Sequence, residues 1–236
     1  MNPIVQELIS KDYAAQRSEE WLALRGNMLT ASDLATAIGV NPYEKPEDLI
    51  LKKCGHNKFN GNSATFHGNK YEDEARDIYC EQYGEVCHEI GLYPHPEYKW
   101  LGGSPDGITE SGKLVEIKCP LRRKITPEVP VYYMPQIQLL LEILNLEEAV
   151  FIQYKPQELT WPGPVEFCVT EVKRDRQWFE EQLPIMDTFW KRVLWHREHG
   201  VEGLIKPKRT RKAKEPPPPE PCMIKDCEDD DIDFEY

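Results

Sequence analysis

Apolar residues recur along this chain at two spacings, and the switch from one to the other marks out its elements. Ile4, Val5, Leu8 and Ile9 lie at helical spacing, and a second helix is predicted over 18–25 with Trp21, Leu22 and Leu24 along it. Thr30-Ala31-Ser32-Asp33 reads as a capping box, with Thr30 as N-cap and Asp33 in the first turn of a helix that runs to Ile38 and is closed by Gly39. Residues 52–65 are polar and rich in Gly and Asn, which predicts a loop, and a helix over about 69–83 follows, capped by Gly84. Strands are then predicted over 85–93, 99–102 and Lys113–Lys118, joined by glycine-rich turns into an antiparallel meander. After a loop holding Pro127 and Pro130 come an apolar helix over 132–144, strands over 149–154 and 166–172, and a last helix over about 174–199.

This order predicts a single α/β domain. At 236 residues and 40% hydrophobic content the chain can bury one substantial core, assigned to 1–204. Residues 205–236 change character: a basic run from Lys206 to Lys214, then four prolines, then an acidic end, the composition of a disordered tail. The basic run could serve as a nuclear localisation signal or a phosphate-binding arm. No segment approaches the roughly 20 apolar residues of a membrane span, and 1–20 lacks the apolar run of a signal peptide, so an intracellular protein without a membrane partner is expected.

Charge qualifies that picture. The net charge of −12 looks wrong for a protein that meets a polyanion. Yet 215–236 holds nine acids against Lys225 alone, so the tail carries −8 and the rest only −4, and a local basic surface is compatible with the total. The seven cysteines are odd in number and show no repeated short spacing, which argues for reduced thiols rather than a disulfide framework or a zinc site.

The chemistry concentrates in two short motifs, Gly103-Ser104-Pro105-Asp106-Gly107 and Val115-Glu116-Ile117-Lys118-Cys119-Pro120. In a strand, Glu116 and Lys118 share one face while Val115 and Ile117 enter the core on the other. Pro105 removes a backbone donor and Gly107 lets the chain turn, so the strand is interrupted where Asp106 projects. Hard cations such as Mg²⁺ prefer carboxylate and carbonyl oxygens with retained waters, which suits Asp106, Glu116 and the Ile117 carbonyl. Such a site can activate water and neutralise phosphate charge, as phosphodiester hydrolysis requires. Alone, Glu-x-Lys is more often an exposed cross-strand ion pair, and Asp106 a turn aspartate; the conjunction with an upstream helical acid favours the metal nuclease.

Taken together, these blocks resemble the phage lambda exonuclease group, including YqaJ-type viral recombinases, within the PD-(D/E)xK nuclease superfamily. The resemblance runs from about Trp21 to Tyr154. It is carried by Leu24-Arg25 with Leu29-Thr30-Ala31-Ser32, by Gly68-Asn69-Lys70-Tyr71-Glu72, by the two motifs above, and by Tyr133-Met134-Pro135-Gln136-Ile137-Gln138. It implies a restriction-endonuclease-like core, a mixed central β-sheet flanked by helices. It further implies that Asp106, Glu116 and the Ile117 carbonyl hold one or two Mg²⁺ ions, with Mn²⁺ as substitute, that Lys118 is the catalytic lysine, and that Glu72 and Gln136 complete the site. From the residues alone, Asp73 and Glu74 rival Glu72, and Gln138 rivals Gln136.

By the same resemblance, Arg25, Ser32 and Ser104 bind the terminal 5′-phosphate of the degraded strand. A guanidinium clamps phosphate bidentately, and a hydroxyl near a helix start adds a donor; read locally, Ser32 is equally a helix cap and Arg25 a C-terminal helix charge. The expected activity is a Mg²⁺-dependent 5′-to-3′ exonuclease on double-stranded DNA ends, making 3′ overhangs for single-strand-annealing recombination. The competing readings are an endonuclease or nickase, and a DNA-end-binding recombination adaptor. Members of the group form a ring-shaped homotrimer. The acidic, aromatic-ended tail reads first as a solvating tail; its short resemblance to the tips of bacterial single-strand-binding proteins offers the alternatives of a peptide that recruits a single-strand-annealing or single-strand-binding partner, or of a DNA mimic that shields the site. The setting would be a bacterial host's cytoplasm, or the nucleus if the virus is eukaryotic. The chain departs from the lambda pattern around 41–46, where Tyr43 and Lys45 stand instead of an arginine wedge. Trp178, Phe189, Trp190 and Trp195 of the last helix read as core or interface.

Overall fold

The computed structural model describes residues 1–11, 13, 14, 16–56, 61 and 63–205, and Met1–Leu204 fold as one compact unit. The reading of the tail as disordered therefore falls outside the described residues. Helices α1 (Pro3–Ile9) and α2 (Glu19–Gly26) begin where expected, capped by Asn2 and Ser18, whose side chains accept from the Ile4 and Trp21 amides. A short strand β1 (Leu29–Thr30) leads into α3 (Ala31–Ala37), and Gly39 follows with φ +81°. Thr30 sits at the N-cap without a side-chain cap bond, so the expected capping box is corrected: its hydroxyl donates to Asp33 Oδ2 at 2.6 Å instead.

The predicted 52–65 loop is also corrected. Lys52 and Lys53 are the last turn of a helix the pattern missed, α4 (Pro46–Lys53), which has Pro at its start, Glu47 and Asp48 in its first turn and two lysines in its last. The long helix α5 (Ser63–Tyr83) begins six residues before Asn69 and takes Gly68 inside it. Gly84 follows α5 with φ +65°.

The meander is only partly present. Residues 85–93 give two short strands, β2 (Cys87–His88) and β3 (Tyr93–Pro94), and these enter different sheets. One sheet has the order β1-β4-β3, with β4 at Leu101–Gly103 running parallel to β1. The other has the order β2-β5-β6-β7-β8, built from β5 (Gly107–Thr109), β6 (Lys113–Lys118), β7 (Glu148–Lys155) and β8 (Glu166–Lys173). In it β6 pairs parallel with β7, Glu116 opposite Phe151, while the other pairings are antiparallel, so the expected mixed sheet is observed. Between β6 and β7 runs α6 (Met134–Leu144), a crossover helix; α7 (Gln157–Thr160), α8 (Arg176–His199) and a short 3-10 turn at Glu202–Leu204 follow.

Two apolar clusters cover the two faces of the larger sheet. On one, Leu114, Ala149 and Phe151 meet α3, α6 and α8; on the other, Val115, Ile117, Val150 and Ile152 meet Tyr71, Ala75 and Tyr79 of α5. Strand β6 is thus central in its sheet and buried on both faces, where only apolar or specifically partnered side chains are tolerated. Phe189 and Trp190 of α8 are buried, as read, whereas Trp195 is exposed.

Gly91 marks a close approach between two segments of the chain. A Cβ there would stand 2.5 Å from the Ala14 carbonyl oxygen and 2.5 Å from Tyr13 Cβ. The neighbouring Gln16 donates to the Ile90 and Pro105 carbonyls. Gly91→Ala is expected to lower stability by about 1–3 kcal/mol, measured by thermal unfolding.

Candidate active site

Ser104-Pro105-Asp106 is where the chain leaves one sheet for the other, between β4 and β5. Asp106 is fixed there because its Oδ2 accepts from the Ile117 amide of β6 at 2.7 Å. Glu116, fully buried on the α6 side of β6, accepts through Oε1 from Lys118 Nζ and, at 2.5 Å, from Gln136 Nε2 in the first turn of α6. Lys118 Nζ also lies 3.8 Å from Asp106 Oδ2 and 5.4 Å from the centre of the Tyr133 ring. Glu72 approaches from α5, its Oε2 3.4 Å from Arg17 Nη2.

The electrostatics are those of acids crowded in a dry place. Burial first, then the Asp106 charge, pushes the Glu116 carboxyl up to about 8 and the Glu72 carboxyl up to about 7. Burial opposes the Lys118 ammonium, but Glu116 and Asp106 outweigh it and hold its pKa above the ordinary lysine value. Glu116 Oε2 is buried without a hydrogen-bond partner, a costly arrangement for a lone pair. That orphan oxygen and the acid crowding fit a hard cation held by Asp106, Glu116 and the Ile117 carbonyl. Among the described residues no three His, Cys, Asp or Glu side chains cluster as a cage; a cation held by two carboxylates would keep several waters, as Mg²⁺ does.

The remaining predicted residues line the same cleft, about 560 Å³ in volume, which Glu72, Ser104, Asp106, Lys118 and Gln136 share with Arg25 and Ser32. Arg25 Nη2 donates to Ser32 Oγ at 2.8 Å, and its guanidinium lies 4.4 Å from the centre of the Trp21 ring. Trp21 Nε1 in turn donates to Ser104 Oγ at 2.9 Å. Burial pulls the Arg25 guanidinium below the usual arginine range, with Asp33 partly countering it. Among the described residues no carboxylate forms a direct ion pair with Arg25: its contacts are the Ser32 hydroxyl and the Trp21 ring, with the Asp33 charge acting from farther off.

The alternatives differ in where the fold places them. Asp73 pairs with Arg76 at 2.6 Å and Glu74 accepts from the Tyr154 hydroxyl, which leaves Glu72 facing the cleft. Gln138 donates to the Lys173 carbonyl and accepts from the Asp175 amide, so it joins β8 to α8 rather than serving the acids. Four further residues belong to the site: Trp21, Arg17, Tyr133 and, beneath it, Lys53. Trp21 was discoverable from its i,i+4 spacing to Arg25. Lys53 carries no signal in the sequence, because the polar stretch that begins at Lys52 has the composition of a loop.

With this geometry in hand, the class is clear: the architecture is the restriction-endonuclease-like α/β fold found in solved exonucleases. An alkaline exonuclease from Laribacter hongkongensis superposes with a TM-score of 0.65 over 77% of this chain and 95% of that one, at 25% identity. A phage related exonuclease from Haemophilus somnus shares the fold, with TM-score 0.50 and 16% identity over 75% of this chain and 95% of that one. Residues 20–147 match the YqaJ-like viral recombinase domain, and the chain belongs to that family. Among curated relatives, an uncharacterised protein of Acanthamoeba polyphaga mimivirus is 33% identical over 162 residues, 61% of this chain and 30% of that protein. A protein of African swine fever virus is 34% identical over 160 residues, 54% of this chain and 46% of that protein. The chain thus spans less than half the length of either. Among the described residues no helix is long and apolar enough to cross a membrane.

Proposed function

We propose that this protein is a metal-dependent nuclease that degrades double-stranded DNA from its ends in the 5′-to-3′ direction, leaving 3′ overhangs for single-strand-annealing recombination. One observation carries the reading: Glu72, Asp106 and Lys118 line one cleft with Arg25, Ser32 and Ser104, and Trp21 links the two groups through its hydrogen bond to Ser104 and its ring beside Arg25. A phosphate held by Arg25, Ser32 and Ser104 would place the following phosphodiester near Asp106 and Lys118.

Asp106, Glu116 and the Ile117 carbonyl would hold Mg²⁺, or Mn²⁺ in its place. Such a cation, when bound, supplies Lewis-acid polarisation of the phosphate and a more acidic water. Lys118 steadies the phosphate and orients the attacking water, with Tyr133 beneath its ammonium. Gln136 holds Glu116 in place through its amide, and Glu72 is the acid on the opposite wall, set to accept a proton from water at neutral pH. The resemblance to the lambda exonuclease group supports two further parts of the reading: a homotrimer that threads the product strand, and a single-strand-annealing partner that receives it.

The test is digestion of 5′-phosphorylated linear, 5′-hydroxyl linear and closed circular duplex with Mg²⁺. Phosphorylated ends are expected to be degraded fastest and circles to stay intact. Arg25→Ala should slow phosphorylated ends about 10–100-fold while hardly changing hydroxyl ends. Cleavage of circles would establish an endonuclease instead, and binding to ends without digestion would establish an adaptor.

A further inference from the structure

Beneath the Arg25 pocket lies an ion pair that the hydrolytic chemistry does not use. Lys53, in the last turn of α4, has a side chain only 7% exposed and places Nζ 2.8 Å from Asp33 Oδ2, whose side chain is 16% exposed. The same ammonium donates to the Arg25 carbonyl at 2.8 Å and the Met28 carbonyl at 2.7 Å, so all three of its protons have acceptors. Lys53 therefore ties the end of α2, which carries Arg25, to the start of α3, which carries Ser32. Arg197 of α8 adds to this anchorage, donating to the Gly26 carbonyl at 2.6 Å and to the Lys53 carbonyl at 3.1 Å.

The hydrogen bonds above the pair run in one direction. Thr30 donates to Asp33, which leaves the Thr30 oxygen to accept from Ser32, 3.2 Å away, while Ser32 accepts from Arg25. Arg25 thus stands at one end of a polarised chain and Lys53 at the other, with the Asp33 charge answered by Lys53. Burial favours the neutral Asp33 acid, yet Lys53 and then Arg25 hold its carboxyl below the usual range. Removing the ammonium would leave a buried carboxylate drawing on Arg25, the other cation that acts on it among the described residues, at the cost of that cation's availability to an incoming phosphate.

We infer that Lys53 and Asp33 are positioning residues that hold the Arg25–Ser32 clamp open and set its preference for a phosphorylated strand end; this rests on the phosphate-binding reading of that pocket. The experiment measures binding, not hydrolysis, by fluorescence anisotropy in EDTA on blunt duplexes that differ only in a 5′-phosphate or a 5′-hydroxyl. Wild type is expected to prefer the phosphorylated end by about tenfold or more. Lys53→Met should bring the two affinities within about twofold by weakening the phosphorylated end alone. Lys53→Met with Asp33→Asn should restore the preference, because no carboxylate then competes for Arg25. A merely structural role would weaken both duplexes together and would not be rescued. If Lys53→Met does not fold, Lys53→Gln keeps a donor for the α2 carbonyls, removes the charge, and should show the same selective loss. A preference that survives in the Lys53 variants, or a double variant that stays unselective, overturns the inference alone. Equal affinities in wild type overturn the phosphate reading, and the inference with it.

Discussion

Asp106→Ala is expected to abolish digestion of linear duplex, with a loss of at least about 10³-fold. The size follows from two coincident losses. The substitution removes one of the two carboxylates that would hold the cation, and it removes the acceptor for the Ile117 amide, 2.7 Å away, on the strand that carries Glu116 and Lys118. An unsatisfied amide there would cost about 1–3 kcal/mol of stability, so inactivity alone would not separate chemistry from folding. Asp106→Asn makes the separation: its amide oxygen can still accept from Ile117 while its charge is gone. It should melt within about 1 kcal/mol of wild type and still lose nearly all activity. Undiminished digestion by either variant would remove Asp106 from the site.

The acid and lysine positions that the fold gathers around Asp106 are the most legible in the sequence, for a physical reason. Asp106, Glu116 and Lys118 lie within 13 positions on one strand–turn–strand unit, where alternation alone fixes which side chains share a face. The alternation held: Val115 and Ile117 are buried against α5 while Glu116 faces Gln136 of α6. Legibility failed where long-range packing chooses. Residues 85–93 look like one strand, yet Gly91 must pass against the Ala14 carbonyl, and the chain breaks there into β2 and β3 of different sheets. Gly68 lies just before the predicted start of the helix at 69, yet α5 runs through it because Tyr71, Ala75 and Tyr79 bury one stripe against the sheet. The support beneath Arg25 was invisible because it comes from α4, whose lysine-rich end has the composition of a loop.

The acid pair should make metal binding and metal-free stability depend on pH in opposite directions. Glu116, pushed up to about 8 mainly by burial, and Glu72, up to about 7, both hold protons more tightly in the folded chain than the ordinary carboxyl value of 4.5 allows. Folded pKa values above the unfolded ones mean that stability is greatest below about 4.5 and falls as pH rises toward 8. Without metal, the protein is therefore expected to lose a few kcal/mol between about pH 5 and 8, and Glu116→Gln should flatten most of that slope. Lys118, raised above the usual lysine value, contributes stability that is complete below about 10.5 and does not disturb this window. Cation binding needs the ionised acid. Because burial and the Asp106 charge hold the Glu116 proton more tightly than usual, Mg²⁺ affinity should climb by about tenfold or more as pH rises from 6 to 8. Thermal unfolding in EDTA and in Mg²⁺ at pH 5.5, 6.5 and 8 reads both effects at once: the two curves should converge in acid and separate in base. If Mg²⁺ raises the melting temperature equally at all three values, Glu116 is not a ligand whose proton must leave first.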